Sequence, residues 1–196
     1  MTLPKVEAPG GARDILLHAC CAPCSGAVLE CLRDSGIRAT VFFSNSNIAP
    51  RAEYDLRLAE MRRYAEHMGV AFVEDAYEHD AWLEAVRGLE EEAERGRRCA
   101  ACFRFRLGRA AQYAADRGLP VFATTLASSR WKDLDQVNAA GLAAASGAET
   151  AATFWPQDWR KGGLQQRRSE VIREQGFYNQ DWCGCEFSRR QSHNNP

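Results

Sequence analysis

No apolar run in this chain approaches the roughly 20 residues that crossing a bilayer requires, so no membrane span is expected. The opening stretch, MTLPKVEAPGGARD, lacks the apolar segment of a secretory signal. Its prolines, glycines and charges predict a loose tail over residues 1–14. Neither sign of charge dominates, because 25 Lys and Arg stand against 26 Asp and Glu, for a formal net charge of −1. General attraction of nucleic acid by the whole surface is thereby excluded, and RNA binding would need a local concentration of Arg and Lys. Internal repeats and low-complexity segments are also missing.

What is present fits a soluble globular protein. Hydrophobic residues at 45% and charged residues at 26% exclude wholesale disorder. A length of 196 residues suits one α/β domain, expected over residues 15–190, with a frayed tail over 191–196. Eight cysteines without an export signal point to the cytoplasm, where clustered cysteines are more often metal-binding or redox-active than structural disulfides.

The pattern along the chain predicts a strand at Ile15–His18, then a helix over Ser25–Ser35 carrying Val28, Leu29 and Leu32 on one side. Ala39–Phe43 is β-branched and aromatic, and Pro50 opens a helical pattern that runs to Met68 and stops at Gly69. Further strands are expected at Val70–Val73 and Val121–Thr124. Ala81–Arg117 reads as mostly helical with a break near Gly96, and helices are expected over Asp133–Ala145 and Leu164–Gln175. Alternating strands and helices predict a parallel sheet with helices on its faces.

Three cysteine pairs stand out: Cys20 with Cys21 directly after the first strand, Cys99 with Cys102, and Cys183 with Cys185. C-x-x-C spacing lets two thiolates converge on one centre and recurs in iron–sulfur and zinc sites. Adjacent residues in a regular strand face opposite ways, so only one of Cys20 and Cys21 could be core, whereas at a strand's end both can turn toward a common site. A four-iron cluster takes four thiolates, whereas the pairs offer six. Cys183-Gly184-Cys185 best supplies the remainder, since the glycine frees the backbone for a tight dithiol that can close to a catalytic disulfide. Cys24, at a helix start, adds a seventh thiol, and Cys31 reads as core.

The segments LLHACCAPCS (Leu16–Ser25), FFSNSNIAPRAEYDLR (Phe42–Arg57), RCAACFRFRL (Arg98–Leu107), ATTLASSRWKD (Ala123–Asp133) and RRSEVIREQGFYNQDWCGCEFS (Arg167–Ser188) together resemble the cobalamin-independent epoxyqueuosine reductases of the QueH family. The resemblance implies reduction of epoxyqueuosine to queuosine at the wobble position in the anticodon loop of tRNA, fed by an external electron donor. It further implies a 4Fe-4S cluster on Cys20, Cys21, Cys99 and Cys102, with Cys183 and Cys185 as a redox-active pair. An additional iron held by Cys183, Cys185 or a carboxylate is an alternative use of that pair. Departures from the family pattern are Ser129-Arg130-Trp131 for Ser-Pro-Tyr, and Asn179 where Arg is common.

The first strand and its loop also resemble the HUP-like, PP-loop fold, with CCAPCS standing where the phosphate-cradling SGGxDS loop would be. Its absence disfavours a cluster-dependent tRNA thiolase, which would need ATP, and a zinc-stabilised RNA-binding module is the non-enzymatic alternative. Epoxide deoxygenation also needs a proton donor, for which Asp158, Tyr178 and His18 are the candidates. Arginines crowd both later cysteine pairs, among them Arg95, Arg98, Arg106, Arg109, Arg167 and Arg168, where RNA phosphates would need them.

Overall fold

The computed structural model describes residues 3–147 and 151–188, and the expected frayed tail at 191–196 lies outside them. Five strands, β1 (Asp14–His18), β2 (Arg38–Phe43), β3 (Ala71–Glu74), β4 (Val121–Thr124) and β5 (Thr153–Phe154), form one sheet in the order β3-β2-β1-β4-β5. Every pairing is parallel. The helices that pack around them are α1 (Ala22–Asp34), α2 (Arg51–Met68), α3 (His79–Ala85), α4 (Arg97–Asp116), α5 (Leu134–Ala145) and α6 (Leu164–Gln175). The architecture is the expected α/β, HUP-like parallel sheet.

Central strand β1 is buried on both faces, as a parallel strand covered by helices must be. Ile15 and Leu17 enter the larger core with Val28 and Leu29 of α1 and Met61 and Tyr64 of α2. Leu16 faces the other way, against Ala110, Ala111 and Ala114 of α4. Small alanines let that helix approach the sheet closely. Gly141 serves α5 similarly, since a Cβ there would come within 2.5 Å of the Phe154 ring on β5.

Three expectations are corrected. Residues 3–13 are not a loose tail, because Leu3 and Ala8 are buried and residues between them bond the end of α1. Lys5 Nζ donates to the Asp34 carbonyl, one of those a helix end leaves open, and Val6 N–H donates to Ser35 Oγ at 3.0 Å. The helical stretch expected from Ala81 breaks earlier than Gly96: α3 stops at Ala85, and left-handed backbone at Gly88 and Arg95 keeps the chain in turns until α4. Finally, the two-residue strand β5 was not foreseen, being too short to show alternation.

The order β3-β2-β1-β4-β5 reverses direction between β1 and β4. In open parallel sheets such a reversal leaves a crevice beyond the strands' carboxyl ends. The loops after β1, β2 and β4 all open there.

Candidate functional site

Cys20 and Cys21 follow β1 directly, and Pro23 in the first turn of α1 costs the helix no hydrogen bond there. The Sγ atoms of Cys20, Cys21 and Cys24 all lie within 4.8 Å of one another, with Cys20 and Cys21 3.8 Å apart. Thiol protons shared from Cys21 and Cys24 hold Cys20 well below the ordinary thiol range, against the effect of burial. The same sharing with Cys20 pushes Cys21 well above it and raises Cys24. From the loop after β4, Thr125 Oγ1 accepts the Cys20 N–H at 3.1 Å and lies 3.4 Å from Cys20 Sγ.

Cys99 and Cys102 sit on the first turns of α4. Burial pushes the Cys99 thiol up to about 11, although Arg95 N–H donates to its sulfur at 3.3 Å. Burial also raises Cys102, while the Arg106 charge and the indole N–H of buried Trp82 act in the opposite sense. Cys183 and Cys185 arrive on a turn whose centre, Gly184, has φ +96°, a left-handed value that glycine alone adopts freely. A Cβ on Gly184 would meet Ile48 Cγ1 at 2.8 Å, so the turn is also pressed against the loop after β2. Sharing the Cys185 proton holds Cys183 well below the ordinary thiol range and drives Cys185 well above it.

The scaffold beneath is a hydrogen-bond network. Arg106, buried on α4, donates to the Ser44 carbonyl at 3.2 Å and to Asn45 Oδ1. His18 Nε2 donates to the same Ser44 carbonyl at 3.1 Å, which makes Nδ1 the acceptor of the Thr124 hydroxyl at 2.8 Å. Burial first, then the Arg106 charge, lower the His18 pKa to about 3. His18 is therefore a neutral structural bridge and no proton donor at neutral pH.

One cavity of about 720 Å³ is lined by seven of the eight cysteines, all but Cys31. Cys31 is fully buried and donates to the Pro4 carbonyl, in keeping with its core reading. Asp158 and Tyr178 are absent from the cavity wall. The Asp158 carboxylate is taken up by Arg160 at 2.6 Å and held low by it, and Tyr178 is 39% exposed elsewhere. Two of the arginines expected to meet RNA phosphates are committed to carboxylates: Arg109 pairs with Asp75 and Glu78, and Arg167 with Glu30 and Glu174. Arg95, Arg98, Arg106 and Arg168 do line the cavity, joined by Arg57, Arg130 and Lys132.

Lys132 was not foreseen, although it lies in the segment ATTLASSRWKD. Burial pulls its ammonium group down, but the Cys183, Cys20 and Cys24 sulfurs outweigh this and keep it charged. The donor set fits an iron–sulfur or other thiophilic centre: soft sulfurs line one cavity, and an O–H and an N–H group already point at two of them, on Cys20 and Cys99.

A family model described as Epoxyqueuosine reductase QueH matches residues 15–191. The chain is 45% identical over 189 residues to the epoxyqueuosine reductase QueH of Histophilus somni, covering 96% of this chain and 77% of that protein. It is 44% identical over 188 residues to the protein of the same name from Haemophilus influenzae, covering 96% and 76%. Against the one from Thermotoga maritima the identity is 34% over 185 residues, covering 91% and 93%. The chain belongs to the epoxyqueuosine reductase QueH family.

Proposed function

We propose that this protein reduces epoxyqueuosine to queuosine in tRNA, using a 4Fe-4S cluster on Cys20, Cys21, Cys99 and Cys102 and a redox-active pair at Cys183 and Cys185. The observation that carries this reading is the convergence of seven thiols on one cavity in a member of this family. When bound, the cluster supplies electron transfer beside the substrate. Cys24, outside that set, is the donor available to an additional iron.

Removing the epoxide oxygen as water consumes two electrons and two protons. Closing the Cys183–Cys185 disulfide releases the two electrons. In this assignment Cys183 enters as thiolate, Cys185 gives its thiol proton to the departing oxygen, and the Lys132 ammonium gives the second. Alkene, water, disulfide and neutral Lys132 result, so atoms and charge balance. An external donor then returns two electrons to the disulfide. A tRNA substrate and a disulfide that must be reduced again after each turnover suit the reducing cytoplasm, and no helix among the described residues is long and apolar enough to cross a membrane.

The test is anaerobic incubation of the purified protein with a reductant and tRNA carrying epoxyqueuosine, followed by mass analysis of the nucleosides. Loss of one oxygen from the modified nucleoside, with iron and sulfide bound to the protein, is expected. Zinc in place of iron and an unchanged nucleoside would favour the RNA-binding module instead.

A further inference from the structure

Trp131 is the most exposed of the large hydrophobic residues, at 68%, and it lines the same cavity as the thiols. An aromatic ring left in water at the edge of a reaction cavity is out of place for packing. The turn that carries it is nonetheless tightly held. Trp131 N–H donates to Ser129 Oγ and Lys132 N–H to the Ser129 carbonyl, each at 3.3 Å. Arg95 reaches across from the turn before α4, donating Nε to the Trp131 carbonyl at 3.0 Å and Nη2 to the Arg130 carbonyl at 3.3 Å.

Arg95 is itself unusual: among the described residues it is the one non-glycine with positive φ, at 66°. A side chain disfavours that conformation, so its neighbours must hold it. Gln136 Nε2 does so by donating to the Arg95 carbonyl at 2.5 Å, and the Arg95 N–H is spent on Cys99 Sγ. The strained residue thus ties the Trp131 turn to the cysteine site. Its guanidinium bonds main-chain carbonyls, which do not neutralise its charge, and Arg130 lies over one face of the Trp131 ring at 4.9 Å. The rim therefore offers an exposed ring on a firmly held main-chain turn beside two cations. A flat, polyanionic ligand is what such a surface suits, because every nucleobase has a π-face and every linkage a phosphate.

We propose that Trp131 is a stacking platform for a base flanking the reacting nucleotide, with Arg95 as the positioning residue that sets it. This rests on tRNA being the substrate. The test is a double-mutant cycle on binding of an anticodon stem-loop RNA to the holoenzyme, pairing Trp131→Ala with abasic substitutions at each loop position in turn. Trp131→Ala should weaken binding about 5- to 100-fold, as loss of one stacked base does. One abasic position should cost as much and add nothing in the variant. Trp131→Tyr should retain most affinity. Arg95→Gly accommodates the left-handed backbone and keeps the N–H on Cys99, so it should share the affinity loss at unchanged iron content. Fully additive losses at every position, or Trp131→Ala binding within twofold of the parent, would overturn the platform. So would a change in self-association of Trp131→Ala without RNA, which assigns the ring to a protein contact. Turnover separates the two ideas: a chain that reduces epoxyqueuosine without coupling has lost only the platform, and one that couples without reducing has lost only the reaction.

Discussion

Asn45 donates its side-chain amide to the Ala19 carbonyl at 2.9 Å, so the end of β2 fixes the backbone one residue before Cys20. Its Oδ1 accepts from buried Arg106, which comes from the helix bearing Cys99 and Cys102. Asn45→Ala takes the partner from the Ala19 carbonyl and from Arg106 Nη2, leaving Arg106 only its bond to the Ser44 carbonyl, and should destabilise the fold by roughly 2–4 kcal/mol in denaturant titration. Iron retained after reconstitution should fall with it.

The cluster assignment predicts that alanine at any one of Cys20, Cys21, Cys99 or Cys102 lowers bound iron and activity together. Cys24→Ala is the discriminating variant, since its sulfur lies within 4.8 Å of Cys20 and Cys21 yet stands outside the proposed set. It should keep four irons per chain by chemical assay. Loss of iron there, with retention in Cys99→Ala, would move the centre onto the Cys20, Cys21 and Cys24 triad.

Serine at Cys183 or Cys185 should leave iron near normal while multiple-turnover reduction collapses, because in the proposed reaction the electron pair leaves through these sulfurs. Gly184→Val keeps both sulfurs but meets Ile48 and a forbidden φ. Intact cluster absorbance with a large loss of turnover is the expected result.

Burial raises the Asp75 carboxyl, but the bonds from Arg109 and from Ser44 at 2.6 Å outweigh it and hold the pKa below its ordinary value. The folded pKa being lower, this stabilisation is complete above the unfolded value near about 4 and is lost as pH falls through the folded one. Arg109→Met should cost about 1–3 kcal/mol at neutral pH, less than for a fully buried pair, because Arg109 is 27% exposed. The difference from the parent should narrow below about pH 4 in unfolding experiments.

Binding of the anticodon stem-loop should weaken steeply with salt. Three phosphate contacts by the cavity cations on a single strand give roughly a 20-fold loss of affinity between about 50 and 200 mM salt. Arg168→Ala should flatten that slope, whereas Arg167→Ala should not, because Arg167 is committed to Glu30 and Glu174.

Local pattern made much of the fold legible. Apolar runs at Ile15–His18 and Val121–Thr124, and the stop at Gly69, depend on neighbours in sequence, and the structure has them where expected. The tail failed for a specific reason: Pro4, Pro9 and Gly10 suggest disorder, while Leu3 and Ala8 anchor the segment through contacts no spacing reveals. At the site, cysteines announce themselves by spacing, but Lys132, Asn45 and Arg106 matter only because three loops meet at one sheet edge. The ion pair between Asp158 and Arg160 is equally hidden, because nothing in DWRK says which of its charges meet in space.

The thiols that share one cavity are far apart along the chain, and that separation imposes an order on their making. The ribosome delivers Cys20, Cys21, Cys24, Cys99 and Cys102 well before Cys183 and Cys185. Strands β1 to β4 and the loops that hold the first five thiols are synthesised while the last turn is still in the exit tunnel, and N-terminal structure forms first during synthesis. The pair thus reaches a wall already built, docking through the Ala49 N–H on the Gly184 carbonyl at 3.0 Å and Arg57 on the Trp182 carbonyl at 3.3 Å. On the proposed assignment, a nascent chain accordingly gathers its metal-binding thiols before the pair that would close to the disulfide, and an unfinished protein has no reducing pair to oxidise.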